Sequence, residues 1–268
     1  MKIAAIQMVS GVHLQSNLDV AGQLLAQASA QGAELAVLPE YFCLMGFKDT
    51  DKLNIQETPG VGPIQDFLSH AARDLKLWIV GGTLPVATAD ASRVRNSSLV
   101  FDPNGLCAAR YDKIHLFRYD NGRESYDESR VLEPGTQAVS FDLSSVDGST
   151  YRIGLSICYD LRFPELYRKL GADLLLVPSA FTYGTGQAHW EVLLRARAIE
   201  NLAYVLASAQ GGIHENTRRT WGHSMIVDPW GQILVQQDEG PTVVMTEVLK
   251  EALQVARAQL PALGHAVL

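Results

Sequence analysis

One phrase of this chain is written twice, and it limits the folds open to it. Residues 32–42 read GAELAVLPEYF and residues 171–181 read GADLLLVPSAF. Each holds a continuous apolar run, the pattern of a strand buried on both faces. Each run stops at a proline, Pro39 or Pro178, where a strand can end because proline brings no N–H to the ladder. A second phrase repeats as well: residues 98–105 read SLVFDPNG and residues 224–231 read SMIVDPWG. Asp and Pro suit the opening of a type I turn, and Gly suits the position that needs positive φ.

Between the phrases, each half carries a helix and then a strand: 63–77 and 78–82 in the first, 191–200 and 204–209 in the second. Ahead of the first phrase, residues 3–9 read as a strand. Residues 17–31 read as a helix with Leu18, Ala21, Leu24, Leu25 and Ala28 on one face, closed by Gly32.

Two helix–strand halves in the same order predict a pseudo-symmetric α/β protein. The period is far too long for a solenoid. Each half has a two-faced apolar sheet and amphipathic helices. Packing the sheets face to face with helices outside buries both sets and gives a four-layer αββα sandwich. A three-layer α/β fold with a chance repeat is the other reading. No linker, low-complexity segment or charge block divides the chain, so residues 1–268 read as a single domain. Residues 118–130 are the most polar stretch and read as a long loop. Residues 249–268 read as a helix followed by an extended tail.

Hydrophobic residues make up 47% and charged residues 19%, which suits a globular enzyme and not a disordered chain. The net charge of −7 and the lack of any basic run argue against nucleic acid as a partner, since phosphate binding wants a basic face. No apolar run approaches the roughly 18 residues a membrane helix needs. The opening MKIAAIQMVSG turns polar too soon for a signal peptide. The three cysteines, Cys43, Cys107 and Cys158, are too few and too odd for a disulfide framework. Reduced thiols and a cytoplasmic location are therefore expected. No His/Cys cluster has metal-ligand spacing, and neither a metal nor another cofactor is expected.

Three residues stand where chemistry is done. Cys158 ends the run Ile153-Gly154-Leu155-Ser156-Ile157 and precedes YDLRFPEL. Strand, sharp turn and helix is the layout that lifts a nucleophile out of a sheet, and a helix N-terminus favours the thiolate. Burial as a packing residue is the other reading. Cys43 and Cys107 lack this setting and read as structural. Glu40 follows Pro39 at the carboxyl end of a buried strand, where ligand sites of α/β sheets gather. A partly desolvated carboxylate there has a raised pKa and can act as a base near neutral pH; a surface glutamate in a turn is the other reading. Its counterpart in the second half is Ser179, so the scaffold repeats and the carboxylate does not. Lys113 stands in RYDKIHLF. By itself it reads as a surface charge; beside a cysteine it could hold an oxyanion.

LPEYF, YDKIHLF and SICYDLRFPELYR resemble the three signature segments of the nitrilase, or carbon–nitrogen hydrolase, superfamily, in family order. The match runs from AAIQM to VDPWG. It implies the four-layer sandwich, a homodimer or higher homo-oligomer, and a catalytic Glu40–Lys113–Cys158 triad. It also implies a second glutamate after the lysine, which matches Glu128. The mechanism implied is a thioester route in which Glu40 is the base. Lys113 and the backbone N–H of Tyr159 would hold the oxyanion, and Glu128 would position Lys113 or the amide.

PSAFTYGTGQAHWEVLLRARAIE and WGHSMIVDPWG are most similar to the deaminated-glutathione amidase and omega-amidase branch. That branch implies a small amide bearing carboxylates as substrate. Phe181, Thr182 and Tyr183 are expected to line the pocket, and Arg123, Arg130, Arg218 or Arg219 to supply its positive charge. An N-carbamoyl amine, another amide or a nitrile on the same scaffold is a second reading; a catalytically silent binding scaffold is a third. Asp160, Arg162 and Glu165 read as an ion network behind the nucleophile, His115 and His223 as satisfied hydrogen-bonding histidines. Apolar faces on the helix over residues 161–170 are expected to be exposed and to serve the dimer. The tail LPALGHAVL lacks the Arg after His seen in many relatives.

Overall fold

A computed structural model describes the chain apart from Arg123, Glu124, Ala266 and Leu268. The first half supplies β1 (Lys2–Gln7), α1 (Leu14–Ala30), β2 (Leu35–Val37), α2 (Pro63–Leu75), β3 (Trp78–Val80), β4 (Leu84–Ala87), β5 (Val94–Phe101) and β6 (Cys107–Asp112). A hairpin of β7 (Arg118–Asp120) and β8 (Ser125–Asp127) follows. The second half supplies β9 (Ser140–Ser144), β10 (Thr150–Leu155), α3 (Pro164–Leu170), β11 (Leu174–Ser179), α4 (Tyr183–Asn201) and β12 (Tyr204–Ala209). After it come the small pair β13 (Gly211–Ile213) and β14 (Arg219–Trp221), then β15 (Ser224–Val227), β16 (Ile233–Gln237), β17 (Thr242–Glu247) and α5 (Lys250–Gln259).

The repeated phrases occupy equivalent places. The first becomes β2, central to the parallel trio β1-β2-β3, and its echo becomes β11, central to the parallel trio β10-β11-β12. The second becomes β5 with its turn, antiparallel to β3, and its echo becomes β15, antiparallel to β12. Even the acidic residue before the central strand plays one part twice. Glu34 accepts the N–H of Lys2 on β1, and Asp173 accepts that of Arg152 on β10.

Alternation along the strands makes the layers. Ala4, Ile6, Ala36 and Leu38 pack with Leu18, Leu25, Ile64 and Leu68 of α1 and α2. Ile3, Ala5, Leu35 and Val37 pack instead with the second sheet, through residues such as Leu176 and Leu206. Side chains on successive strand residues point to opposite faces, so each sheet serves two layers, and α3 and α4 cover the far side. This is the four-layer αββα sandwich. The C-terminal ends of β1 and β12 meet, since Met8 N–H bonds to Ala209 O and Gly211 N–H to Met8 O. Both parallel trios therefore end on one edge, and the functional residues gather there.

Several local expectations are corrected. Within the stretch read as a long loop, β7 pairs with β8 and Glu128–Arg130 form a 3-10 turn, with Phe117 packing against Tyr119 and Tyr126. α4 starts at Tyr183 and not at residue 191. Gly184 and Gly186 mask the helix in the sequence, but Gly186 is needed because a Cβ there would collide with the Trp221 side chain. The tail forms a short 3-10 turn (Ala262–His265) after α5. Leu161, Leu166, Tyr167 and Leu170 are all buried inside the chain, so the helix after Cys158 exposes no apolar face. Cys43 is buried as expected, whereas Cys107 lies exposed on edge strand β6 and is not a core residue.

Candidate active site

Glu40 lies two residues beyond Leu38, where the apolar run of β2 has ended. Its carboxylate is 1% exposed and fully engaged. Oε1 accepts hydrogen bonds from Lys113 Nζ at 2.9 Å and Asn96 Nδ2 at 2.9 Å. Oε2 accepts the backbone N–H of Ala180 at 3.0 Å. Ala180 follows β11, so the echo of the phrase that carries Glu40 binds its carboxylate from the other half.

Lys113 follows β6 directly and is also 1% exposed. Its ammonium meets Glu40 and both oxygens of Glu128, at 2.9 and 2.8 Å. Glu128 stands at the start of its 3-10 turn. It also accepts the Tyr41 hydroxyl at 2.8 Å and the Phe117 N–H at 2.7 Å. One buried cation thus serves two carboxylates. Such a cluster is tolerated only when every charge is paired and hydrogen-bonded.

Cys158 lines the same pocket as Glu40 and Glu128. It opens a 3-10 turn (Cys158–Arg162) with φ of 47°, and Tyr41 beside Glu40 has φ of 57°. Non-glycine residues held in the left-handed region cost about 1–3 kcal/mol each and cluster at functional sites. Asp160 holds the cysteine's turn. Its buried carboxylate accepts the Ile157 N–H at 2.9 Å, the Tyr111 hydroxyl at 2.7 Å and the His115 N–H at 3.1 Å. Tyr111 and His115 flank Lys113, so Asp160 ties the cysteine turn to the lysine strand.

Burial pushes the Cys158 thiol well above its ordinary value; Glu40 adds to this, and Lys113 and the Ala180 N–H offset only part. Burial and the Glu40 charge thus oppose the thiolate. This corrects the expectation of a helix-stabilised thiolate: α3 begins only at Pro164, beyond the 3-10 turn. Burial also raises Glu40 above the usual 4.5, with Lys113 pulling down and Glu128 pushing up. Burial works against the charge on Glu128 too, but Lys113 and the Phe117 N–H hold it below 4.5. Burial opposes the Lys113 charge, yet Glu128 and Glu40 outweigh it and keep the ammonium protonated. The cluster thus places a cysteine thiol and a carboxylate base on one pocket, with a paired ammonium behind the carboxylate.

A pH dependence follows. Glu40 works as a base only when ionised, and its folded-state pKa is raised. Activity is expected to fall as pH drops through a midpoint above 4.5. Glu128 has a lowered pKa, so its pairing with Lys113 persists below that limb and is lost only as pH falls further. A kcat/KM profile whose acid midpoint lies at or below 4.5 would contradict this assignment.

The model of the carbon–nitrogen hydrolase family matches residues 2–258. The chain belongs to the carbon–nitrogen hydrolase family. The deaminated glutathione amidase of Synechocystis sp. is 44% identical over 269 residues, which cover 98% of this chain and 97% of that protein. The NitFhit protein of C. elegans superposes with a TM-score of 0.88 at 36% identity, over 99% of this chain and 65% of that longer one. An amidase from Nesterenkonia sp. AN1 superposes with a TM-score of 0.79 at 28% identity, over 97% and 98% of the two chains. That structure is of a point mutant of the amidase in which acrylamide has added to the active-site cysteine.

Within this carbon–nitrogen hydrolase, the residues singled out by sequence are sorted by the fold. Glu40, Lys113, Glu128 and Cys158 converge. Tyr159, Phe181 and Thr182 line the pocket with Glu40, Glu128 and Cys158. Tyr183 does not; it packs edge-on against Trp221 under the Arg219 guanidinium. Arg218 and Arg219 reach the pocket. Arg130 is 77% exposed and turned to Asp127, and Arg123 lies outside the described residues. Asp160, Arg162 and Glu165 form no single network: Arg162 lines the pocket and Glu165 faces solvent. His115 pairs with Asp160, and His223 Nδ1 lies 2.8 Å from Trp221 O, so both are satisfied as expected.

Sequence reading missed Asn96, Tyr41, Lys52 and the Ala180 N–H. Asn96 had a signal: Asn96-Ser97-Ser98 are polar residues buried within β5, where a strand of the core otherwise carries apolar ones. Ala180 had none, because a backbone donor leaves no trace in residue type.

Proposed function

We propose that this protein is an amidase that hydrolyses the linear amide of a small carboxylate-bearing acid through a cysteine thioester. The observation that carries the reading is the buried Glu40–Lys113–Glu128 cluster opening onto the same pocket as Cys158. The amidase names of the relatives support it.

Glu40 takes the thiol proton as Cys158 Sγ attacks the amide carbon, so the thiolate exists only as the new bond forms. The carbonyl oxygen becomes an oxyanion and is received by the Lys113 ammonium and the Tyr159 N–H. The C–N bond breaks, and the proton held by Glu40 leaves with the amine. Glu40 then takes a proton from water, whose oxygen attacks the thioester. Collapse releases the carboxylic acid, and the proton returns to Cys158. Glu128 fixes Lys113 by two short hydrogen bonds and is itself fixed by Tyr41 and Phe117.

The test is amine or ammonia release from deaminated glutathione, 2-oxoglutaramate, an N-carbamoyl amine and an aliphatic nitrile. Turnover of one of the first two is expected. Turnover of the carbamoyl amine or nitrile alone would move the substrate class and keep the nucleophile. Silence across the panel would favour a non-catalytic scaffold.

The proposal includes a homodimer. Its support is an apolar patch on which Trp230, Leu249 and Val255 share one surface hollow, with Ile199 beside the same turn. Light scattering at micromolar concentration is expected to give twice the chain mass of 29.3 kDa; a strict monomer would overturn it.

A further inference from the structure

Four cationic side chains line the pocket beside Cys158: Lys52, Arg162, Arg218 and Arg219. Three are engaged. Arg218 donates to Asp49 at 3.1 Å, and Arg219 donates to Glu239 at 2.8 Å while its guanidinium lies 3.7 Å from the Tyr183 ring centre. Arg162 lies 3.3 Å from His189 Nδ1 and spans the rings of Phe181 and Tyr159. Lys52 differs. Among the described residues its ammonium has no carboxylate within ion-pair distance and makes no hydrogen bond, whereas Arg162, also without a carboxylate, has His189; the Lys52 ammonium stands 4.8 Å from the centre of the Tyr41 ring.

That ring belongs to the machinery. Tyr41 follows Glu40, and its hydroxyl binds Glu128. Lys52 is therefore one side chain away from the reacting groups. It is carried on a 3-10 turn (Asp49–Ile55) pinned by the Lys48 N–H to Asp51 and by the Gln56 amide to Leu53 O. A cation held in place, facing a sheltered pocket and lacking a counter-ion is set up to receive an anion. Burial lowers the Lys52 pKa, with Glu128 and Asp49 opposing from a distance. A carboxylate bound there would supply what burial removes.

We infer that Lys52 is the specificity residue that receives the substrate's carboxylate while Cys158 attacks the amide. The inference rests on the amidase reading above and adds the group that selects its acid-bearing substrates. Arg218 and Arg219, already paired, are background charge.

The test separates binding from chemistry. Glutarate is titrated calorimetrically into the Cys158→Ala protein, and again after adding Lys52→Met or Lys52→Arg. The parent should bind glutarate saturably. Lys52→Met should weaken binding about tenfold or more, as loss of a charged hydrogen bond does, and Lys52→Arg should restore most of it. Glutaramide, the neutral diamide, should bind all three alike. Equal glutarate affinity with and without the lysine would overturn the inference. So would no saturable binding by the parent, or equal losses for glutarate and glutaramide, which would mark a purely structural lysine. Failure of the amidase reading looks different: no Cys158-dependent amide hydrolysis, with the Lys52-dependent binding of glutarate intact.

Discussion

Turnover by the Cys158→Ala protein is expected to fall by about 10⁴-fold or more, with the fold intact. The large loss follows from the chemistry, because no other thiol lines the pocket beside Glu40. Groups that act as a unit lose nearly all activity when the nucleophile goes, whatever remains of the oxyanion site. The small structural effect follows from packing. The substitution removes one sulfur atom from a site at the edge of the core, roughly the 0.8 kcal/mol of a buried methylene. In a chain of this size that moves the melting temperature by about 2–4 °C. Alanine also keeps the positive φ at this position as well or as badly as cysteine does. Residual activity together with a large loss of stability would show that Cys158 is a packing residue and that the nucleophile lies elsewhere.

Lys113→Met should damage both activity and stability, and by separable routes. The ammonium is the only cation within hydrogen-bonding distance of Glu40 and Glu128 among the described residues. Without it two carboxylates face each other in a dry site. Breaking a buried ion pair by removing one partner costs about 3–5 kcal/mol. Loss of an oxyanion donor costs roughly 10²–10³ in rate. The pH dependence of the stability loss identifies its cause. Without Lys113 both carboxyls would have raised folded-state pKa values. The destabilisation is then relieved as pH falls through those values and is full above them. The melting-temperature gap between the native protein and Lys113→Met should therefore narrow toward acid pH. Adding Glu128→Gln to Lys113→Met should recover part of the stability and none of the rate. A gap that does not change with pH would show that the lysine's aliphatic stem, and not its charge, holds the site together.

What could be read from the chain alone was whatever local pattern encodes. The apolar runs of β2 and β11, their prolines and the two Asp-Pro turns announce a duplicated α/β design. Alternating burial follows from strand geometry once the strands exist. Glu40 and Cys158 stood out by position, at a strand end and a sharp turn, whereas Lys113 read by itself as a surface charge and took its role from the family resemblance. The family resemblance added Glu128.

Other features were decided only when distant segments met. Glu40 and Lys113 are 73 positions apart, and Ala180 reaches Glu40 across 140. Nothing in local propensity says that one half's strand end will supply an N–H to the other half's carboxylate. The buried face of the helix after Cys158, the turning away of Tyr183 and the hairpin after Phe117 were misread for the same reason. Each depends on which neighbour fills the space beside it, and sequence spacing is blind to neighbours. The state of the thiol was decided this way too. α3 begins only at Pro164, and the burial and the Glu40 charge that push the Cys158 thiol up reach it only through the folded pocket.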